Sequence, residues 1–211
     1  MRTFGLIPAA GKSRRMGMPK LLLRLGDMTV LEHVVVAVRS AGVNDLLVVV
    51  APGADELAQL AETAGAHVLR LDEDTPDMRA TCLHGLTWIE RHFQPTDDDS
   101  WLLLPADHPT VRSGVVRTIL TTATGKTIVV PTYQGRRGHP TLLRWSHVAS
   151  LRALPPDRGL NTFIREHVRE MLELDWPSDE ILRDLDTPED YQRLVDASTL
   201  AFNVREASRE R

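Results

Sequence analysis

The residues best suited to chemistry lie near the beginning of the chain, where a short apolar run leads into a loop crowded with positive charge. The sequence from Phe4 to Lys20 is FGLIPAAGKSRRMGMPK. Five basic side chains fall within thirteen residues, and no acid follows them until Asp27, although the whole chain carries a formal net charge of −4. These side chains are Lys12, Arg14, Arg15, Lys20 and Arg24. So much local positive charge on an acidic protein predicts a polyphosphate site.

The loop has the composition that close contact with phosphate requires. Ala9, Ala10 and Gly11 lack the bulk that would keep a ligand's phosphates from the backbone amides. Gly11-Lys12-Ser13 is like the end of a Walker A motif, but Leu6 stands where that motif requires a glycine. The dinucleotide fingerprint fails as well, because no glycine lies between Gly11 and Gly17. The sequence therefore indicates a third type of phosphate loop.

The loop resembles the signature of the MobA-like nucleotidyltransferases, in which a strand leads into L-A-[AG]-G-x-S-x-R-M-G and then a lysine. The matching residues are Pro8-Ala9-Ala10-Gly11-Lys12-Ser13-Arg14-Arg15-Met16-Gly17, followed by Lys20. The resemblance implies that the loop binds the triphosphate of an NTP and that Arg15 and Lys20 neutralise it as catalytic residues. It also implies a nucleotide-binding set of Pro8, Ala9, Ala10, Gly11, Lys12, Ser13, Arg15, Lys20, Met78 and Thr81. A basic surface loop without a ligand is the structural alternative.

A second candidate group is the carboxylate of Asp107, which follows a buried apolar run in SWLLLPADHPTV. A carboxylate at the carboxyl end of a strand can bind Mg²⁺, which takes one or two protein carboxylates while substrate phosphates complete its shell. The family has an aspartate followed one residue later by proline here, and Asp107-His108-Pro109 matches it. The resemblance implies that Asp107 is a catalytic metal ligand. The alternative is that Asp107 caps a turn ahead of the next helix.

The third segment is Asp184-Leu185-Asp186-Thr187-Pro188-Glu189-Asp190-Tyr191, which resembles the closing motif of the family. The resemblance implies that Asp186 is the other metal ligand, for Mg²⁺ with Mn²⁺ as the alternative ion. The residues support a helix start equally well, with Thr187 as N-cap, Pro188 in the first turn and acids at the positive end of the helix. Both roles are compatible.

A fourth segment, Thr132-Tyr133-Gln134-Gly135-Arg136-Arg137-Gly138-His139-Pro140-Thr141-Leu142-Leu143, resembles the G-x-x-G-H-P segment of the molybdenum cofactor cytidylyltransferase branch. The resemblance implies that this segment lines the acceptor side. The predicted acceptor-binding residues are Arg136, Arg137, Gly138, His139 and, from a later loop, Asn161. A hairpin turn with solvated arginines is the alternative, and His139 is expected to be a structural hydrogen-bonding residue rather than a general base.

Four positions depart from the pattern of that branch. His108 stands where many relatives have glutamine, Asp77 and Arg79 replace a glycine and a small residue, and Asn161 replaces an arginine. Because of these changes, an acceptor different from that of the branch remains an alternative.

The elements that must position these residues follow from hydrophobic periodicity. Valine- and leucine-rich runs alternate with amphipathic segments, which is typical of an α/β domain. The predicted strands are Thr3–Pro8, Asp45–Val50, His67–Leu71, Trp101–Pro105 and Thr127–Thr132. The predicted helices are Val30–Ala41, Asp55–Ala64, Arg79–His92, Val111–Ala123, His147–Leu154, Leu160–Val168 and Pro188–Ala197. Fully apolar runs such as LLVVV indicate a sheet covered on both faces, with ligands beyond the carboxyl ends of its strands. With the resemblance, this predicts an α/β fold of the three-layer, Rossmann-like nucleotidyltransferase (GT-A-like) class with a mostly parallel central sheet.

Composition sets the remaining expectations. A chain of 211 residues with 42% hydrophobic content is expected to form one domain over residues 1–200, with a flexible tail over 201–211. Cys82 is the only cysteine, and no apolar run approaches the ~20 residues that cross a bilayer, so a cytoplasmic protein without membrane contact is expected. The negative charge and 5% aromatic content do not favour nucleic-acid binding. The acids at 72–74 and 97–99 match no motif and are expected in solvated loops.

The residues and the resemblance together predict an Mg²⁺-dependent nucleotidyltransferase that moves CMP from CTP onto molybdopterin or another phosphorylated acceptor and releases pyrophosphate. Ala10 favours CTP, because the guanylyl branch tends to carry a second glycine there. The alternatives are guanylyl transfer, transfer to a sugar or alcohol phosphate, or a regulatory or chaperone module that binds nucleotide without catalysis. A molybdoenzyme or chaperone that receives the product is a possible partner.

Overall fold

One large sheet of mostly parallel strands organises the protein, as seen in a computed structural model that describes residues 1–122 and 125–197. The strands are β1 (Thr3–Ala9), β2 (Arg24–Leu25), β3 (Met28–Thr29), β4 (Leu46–Val50), β5 (His67–Arg70), β6 (Ser100–Leu103), β7 (Ile128–Tyr133), β8 (Arg136–Arg137), β9 (Thr141–Arg144) and β10 (Met171–Asp175). The large sheet has the order β10-β7-β9-β6-β1-β4-β5, and β8 pairs with β7. Strands β5, β4, β1 and β6 are parallel neighbours, whereas β9 runs antiparallel to both β6 and β7. Strands β2 and β3 form a separate short hairpin.

Helices cover both faces of this sheet. They are α1 (Val30–Ser40), α2 (Asp55–Thr63), α3 (Met78–Phe93), α4 (Ser113–Thr121), α5 (His147–Arg152) and α6 (Leu160–Glu166), and residues 188–197 are also helical. The apolar cluster on one face joins the sheet to α1, α2 and α4. The cluster on the other face joins it to α3, α5 and α6. Alternate residues of β4 belong to opposite clusters, since Val48 and Val50 face one side and Leu47 and Val49 the other. The predicted three-layer α/β fold is thus confirmed.

Local interactions fix where the helices begin and how closely they pack. Thr29 and Glu32 form a reciprocal capping box at the start of α1, in which each side chain accepts a hydrogen bond from the other residue's backbone N–H. Gly85 brings α3 close to the sheet, because a Cβ atom at this position would lie 2.5 Å from Leu6 Cδ1 and 3.0 Å from Val49 Cγ2. These contacts hold the middle of α3 against β1 and β4.

The predicted elements match the structure with two kinds of exception. All five predicted strands and all seven predicted helices exist, with ends displaced by at most two residues, although Ala123 and the predicted tail over 201–211 lie outside the described residues. The two-residue strands β2, β3 and β8 and the longer strands β9 and β10 were not predicted. The prediction of a solvated loop at 97–99 is wrong for Asp99, which is 4% exposed and accepts hydrogen bonds from the backbone N–H groups of Arg2 and Thr96. In the described part of the chain, no helix has the length and apolar character needed to span a membrane.

Candidate active site

The phosphate-loop candidate leaves the carboxyl end of β1 and exposes its backbone. Buried Met16 anchors the loop, while Ser13 and Gly17 turn the chain with φ values of 47° and 71°. Ser13 O accepts from the N–H groups of Met16 and Gly17. Within the described residues, the N–H groups of Gly11 and Lys12 have no hydrogen-bond acceptor. Free backbone donors on a basic loop form a concave anion site.

Lys20, at the start of a 3₁₀ turn (Lys20–Leu22), holds together the two carboxylates that were predicted from distant motifs. Its Nζ atom lies 2.7 Å from Asp107 Oδ2 and 2.8 Å from Asp186 Oδ1. Arg15 Nη2 lies 2.7 Å from the other oxygen of Asp186. The Lys20 side chain is only 11% exposed, whereas Arg15 is 74% exposed. Two acids and two bases therefore meet at one point.

These charges keep Lys20 protonated. Burial by itself lowers the pKa of Lys20, but the negative charge of Asp107 and the hydrogen bonds to Asp107 and Asp186 outweigh burial and raise the pKa above its ordinary value. The cluster therefore contains a permanent ammonium ion at neutral pH.

The backbone joins the two acidic segments directly. Leu185 N–H donates to Asp107 O at 2.9 Å, and the Leu185 side chain is fully buried. The predicted cap after Asp186 is confirmed, because Thr187 Oγ1 accepts from Asp190 N–H at 3.2 Å while Asp190 Oδ2 accepts from Thr187 N–H at 2.8 Å. Asp190 also accepts from the N–H of Asp186 at 3.1 Å. The helix start thus fixes the backbone that presents Asp186.

The carboxylate of Asp107 faces the lysine. The chain after β6 continues alongside β1, since Ala106 N–H donates to Pro8 O at 3.4 Å. Helix α4 begins beyond Asp107, with Arg112 at its N-cap. The alternative role of Asp107 as a turn cap therefore has less support than its place in the charge cluster.

These groups line a cleft of about 740 Å³ beyond the carboxyl ends of β1 and β6. All ten residues predicted to bind nucleotide lie in its wall, together with Asp107 and Asp186. Of the five basic residues that marked the loop, only Arg24 is absent from the lining, and its guanidinium donates to Asp27 O within the β2–β3 hairpin. The structure brings the predicted donor-side residues to one place.

Two histidines form the wall beyond Asp107. The rings of His108 and His139 meet edge to face with centroids 4.7 Å apart, and the Nδ1 atom of each is buried and unpaired within the described residues. Burial and nearby His108 lower the pKa of His139 to about 3. Burial also lowers the pKa of His108, against the attraction of Asp107. Both rings are therefore neutral at neutral pH. The backbone N–H of His139 donates to Ile181 O at 2.9 Å, whereas its ring Nδ1 has no partner among the described residues.

A second cavity, of about 390 Å³, adjoins the cleft. Met78 and His139 line both spaces. Arg137 and Asn161 line the second cavity, and Arg137 Nε donates to Glu173 Oε1 at 2.7 Å. Arginine and amide groups next to a polyphosphate cleft can bind an anionic second substrate.

The remaining acceptor predictions lie on a hairpin. The turn between β7 and β8 has φ values of 49° at Gln134 and 74° at Gly135, as in a type I′ turn. Arg136 is exposed on this hairpin and outside both cavity linings, which agrees with the hairpin alternative. Gly138 lines the second cavity, but a Cβ atom there would lie 2.4 Å from Ile181 O. Close packing against residue 181 is thus a structural reason for this glycine.

Two departures from the family pattern have structural explanations. Asp77 caps α3, because its Oδ1 accepts from Ala80 N–H at 2.7 Å. Buried Arg79 donates to the carbonyls of Leu154 at 2.6 Å and Pro155 at 2.9 Å, just after α5. Arg79 thereby ties the start of α3 to the loop that precedes Asn161.

Sequence reasoning missed several groups of the cleft. The structure adds Thr75 and Asp184 to the lining, and it also places His108 there, which the sequence marked only as a departure from the family pattern. Asp74, which was expected in a solvated loop, also lines the cleft, and its Oδ2 lies 2.5 Å from Lys12 Nζ. A basic loop requires counter-charges when no ligand is bound, but that argument does not say which distant acid supplies them.

Comparisons with solved structures agree with this architecture. The homologue of Mycobacterium tuberculosis Rv0371c from Mycobacterium sp. strain JC1 is 28% identical, with a TM-score of 0.80 over 95% of this chain and 100% of that chain. Rv0371c of M. tuberculosis H37Rv, in complex with manganese, is 24% identical, with a TM-score of 0.73 over 93% and 98%. A cytidylyltransferase from Leptospira borgpetersenii serovar Hardjo-bovis is 19% identical, with a TM-score of 0.70 over 92% and 85%. The last two likenesses show a shared fold. Among curated proteins, none matches this chain.

The family model described as the MobA-like NTP transferase domain matches residues 5–171. That range contains the phosphate loop, Lys20 and Asp107. Because the match covers most of the chain and the loop, the cleft and the sheet agree with it, this protein belongs to the MobA-like NTP transferase family and is a nucleotidyltransferase.

Proposed function

We propose that this nucleotidyltransferase uses Mg²⁺ to transfer CMP from CTP to a phosphorylated acceptor, with molybdopterin as the first candidate, and releases pyrophosphate. The observation that carries the proposal is the meeting of Arg15, Lys20, Asp107 and Asp186 in the cleft that the phosphate loop opens. Nucleotidyl transfer requires dense positive charge for the triphosphate and hard oxygen ligands for a divalent cation, and this cleft supplies both.

The reaction balances without a protein nucleophile. An oxygen of the acceptor phosphate attacks the α-phosphorus of CTP in line, the bond from that phosphorus to the α,β-bridging oxygen breaks, and pyrophosphate leaves with the bond's electrons. The attacking phosphate is already anionic, so the step depends on positioning and charge stabilisation rather than on a general base. The lowered pKa of His139 agrees with this, because its ring is a weak base.

The basic residues of the cleft are proposed to bind the phosphates that leave as pyrophosphate. The free N–H groups of Gly11 and Lys12 can hold the triphosphate against the loop. Arg15 is exposed enough to turn from Asp186 towards phosphate, and Lys20 lies at the floor of the same cleft. These two side chains stabilise the negative charge that builds up on pyrophosphate.

Asp107 and Asp186 fit a divalent cation. An oxygen of each lies within 2.8 Å of one ammonium nitrogen, so both carboxylates already converge on a single positive charge. The described residues contain no cluster of three or more candidate protein ligands, which fits Mg²⁺ because this ion keeps water and substrate phosphate in its shell. When bound, the cation polarises the α-phosphate and orients it for attack. The manganese complex of Rv0371c supports a divalent-cation site in this fold.

The choice of CTP and of molybdopterin depends on local sequence. Ala10 lies in the cleft wall at the position where the guanylyl branch tends to carry glycine, and Gly138-His139-Pro140 matches the cytidylyl branch. The cytidylyltransferase that shares this fold supports the same nucleotide. The cavity with Arg137 and Asn161 is the proposed acceptor site, because it shares Met78 and His139 with the nucleotide cleft.

The test is incubation of the purified protein with Mg²⁺, each NTP in turn and molybdopterin, followed by measurement of pyrophosphate and of the nucleotidylated product. Turnover with CTP that requires molybdopterin is the expected result. Preference for GTP would contradict the cytidylyl assignment. Turnover only with a sugar phosphate or an alcohol phosphate would reassign the acceptor and leave nucleotidyl transfer intact.

A further inference from the structure

The ammonium group of Lys20 occupies the point on which both proposed metal ligands converge. Its contacts of 2.7 Å to Asp107 and 2.8 Å to Asp186 use one oxygen of each carboxylate. Arg15 takes the second oxygen of Asp186 at 2.7 Å. Among the described residues, no lysine or arginine contacts the other oxygen of Asp107, Oδ1, and His108 Nε2 lies 3.9 Å from it. Three of the four oxygens are therefore engaged by the protein's own cations.

The charges of this cluster already balance. Two carboxylates face the ammonium of Lys20 and the guanidinium of Arg15, and the lysine is nine-tenths buried. A divalent cation that entered the same space would meet a fixed positive charge within a few ångströms, where low exposure to solvent weakens screening. The intact cluster thus opposes the binding of a free divalent cation.

We propose that Lys20 is an internal counter-cation that keeps the two carboxylates together in the free protein and must leave them before the divalent cation can bind. This inference rests on the metal role proposed for Asp107 and Asp186. An incoming triphosphate gives Lys20 another anionic partner in the same cleft, because Lys20 and the phosphate loop line one continuous wall. The divalent cation consequently binds together with the nucleotide rather than before it. Lys20 is then a positioning residue for the metal as well as a phosphate ligand.

The direct test measures the affinity of the nucleotide-free protein for Mn²⁺. Binding is monitored by electron paramagnetic resonance as the loss of the signal of free Mn²⁺. Lys20→Met removes the charge and keeps a side chain of similar length, so its Mn²⁺ affinity is expected to rise at least tenfold over that of the wild type. Adding Asp107→Asn to Lys20→Met is expected to abolish the gain. Lys126→Met is the matched control, because it makes the same change at an exposed residue that donates to Arg169 O, away from the cleft, and it should leave the affinity unchanged.

Lys20→Gln provides an independent neutral variant in case Lys20→Met folds poorly, and thermal melting checks both. Lys20→Arg keeps the positive charge and should keep Mn²⁺ binding weak. An affinity of properly folded neutral variants equal to that of the wild type would overturn the inference, as would a gain that survives Asp107→Asn. If the wild type turns over CTP but the neutral Lys20 variants show no gain in Mn²⁺ affinity, only the role of Lys20 is overturned. If the neutral variants gain Mn²⁺ affinity but the wild type turns over no NTP, the proposed function is overturned and the role of Lys20 as counter-cation is retained.

Discussion

Asp107 and Lys20 illustrate how a single residue can have one role in the free protein and another in the reaction. The carboxylate of Asp107 pairs with the ammonium at 2.7 Å in the free protein, whereas during turnover it is proposed to bind the metal. Removing its charge should therefore affect catalysis much more than folding, because Asp186 still pairs with Lys20 and the exposed Arg15 remains in contact with solvent.

Asp107→Asn is expected to lower the turnover number by about 100-fold or more, since an amide oxygen is a weaker ligand for Mg²⁺ than a carboxylate oxygen. The measurement is pyrophosphate release at saturating CTP and acceptor. Asp98→Asn is the matched control, because Asp98 is exposed just before β6, at the opposite end of that strand from the cleft. Turnover that remains at the wild-type level in Asp107→Asn would remove the assigned metal role.

At the scale of elements, the packing of α3 against the sheet depends on Gly85. A methyl group here would lie 2.5 Å from a side-chain carbon of Leu6, so Gly85→Ala requires the helix or the strand to move. We expect a loss of about 1–3 kcal/mol in the free energy of unfolding, as for other overpacked cores. Gly114→Ala, in α4, is the control because nothing lies within 4 Å of its added methyl group.

Urea unfolding, monitored by circular dichroism, measures the free energy of unfolding of both glycine variants. Gly114→Ala should leave stability unchanged or raise it by up to about 1 kcal/mol, since alanine has the higher helix propensity. Equal stability of the two variants would show that α3 adjusts without cost.

Arg79 connects two other elements, and its partners are all carbonyls. It donates to Leu151, Leu154 and Pro155 at 2.6–3.3 Å from a buried position. Arg79→Met leaves the carbonyl of Leu154 without its donor, while those of Leu151 and Pro155 keep backbone N–H donors, so we expect a loss of about 1–3 kcal/mol in the free energy of unfolding. Arg79→Lys should recover part of it, because an ammonium can reach some of the carbonyls. If the methionine variant is as stable as the wild type, the bonds are not structural.

The elements also show what the sequence alone can predict. Long apolar runs such as β4 and capped amphipathic helices such as α1 were predicted, because their patterns are local. Strand β9 was not predicted, because its residues were interpreted as part of the acceptor loop. Strand β10 has alternating burial, MLELD, and that period of two was a usable signal that the preceding helix pattern obscured.

The same distinction applies to the site. Lys20, Asp107 and Asp186 belong to recognisable motifs, so they were predicted to be functional. The structure places the three side chains in contact. Lys12 lies 62 residues from its partner Asp74, and Arg2 lies 97 residues from Asp99, whose other partner is the nearby Thr96. No local pattern specifies such pairs, because tertiary folding alone brings them into contact.

At the scale of the whole molecule, acid stability should depend on Asp99. Burial disfavours its charged form, but hydrogen bonds from the N–H groups of Thr96 and Arg2 outweigh burial and lower the pKa from 3.8 to about 2. A lowered pKa contributes stability that is complete above the unfolded value near 4 and is lost as the pH falls through about 2. The contribution is on the order of 2 kcal/mol.

Urea unfolding of the wild type and of Asp99→Asn at pH 5 and pH 2.5 tests this expectation. The difference in stability between the two proteins should be larger at pH 5, and it should shrink at pH 2.5 because the wild-type carboxyl is becoming protonated. Other acids titrate in both proteins, so only the difference between them reports on Asp99. A difference that does not change with pH would contradict the lowered pKa.

Ligand binding should stabilise the whole molecule, because the cleft joins segments that are far apart in the chain: the loop after β1, the residues after β6 and the segment before the last helix. CTP with Mg²⁺ at 100 times its dissociation constant should add about 2.7 kcal/mol, which raises the melting temperature of a domain of this size by roughly 5–10 °C. Mg²⁺ alone should produce little change in the wild type, since Lys20 already occupies the carboxylates, but it should stabilise Lys20→Met. Differential scanning calorimetry distinguishes these cases. A large shift of the wild type with Mg²⁺ alone would mean that the cation binds without the nucleotide and that the charge cluster opens unaided.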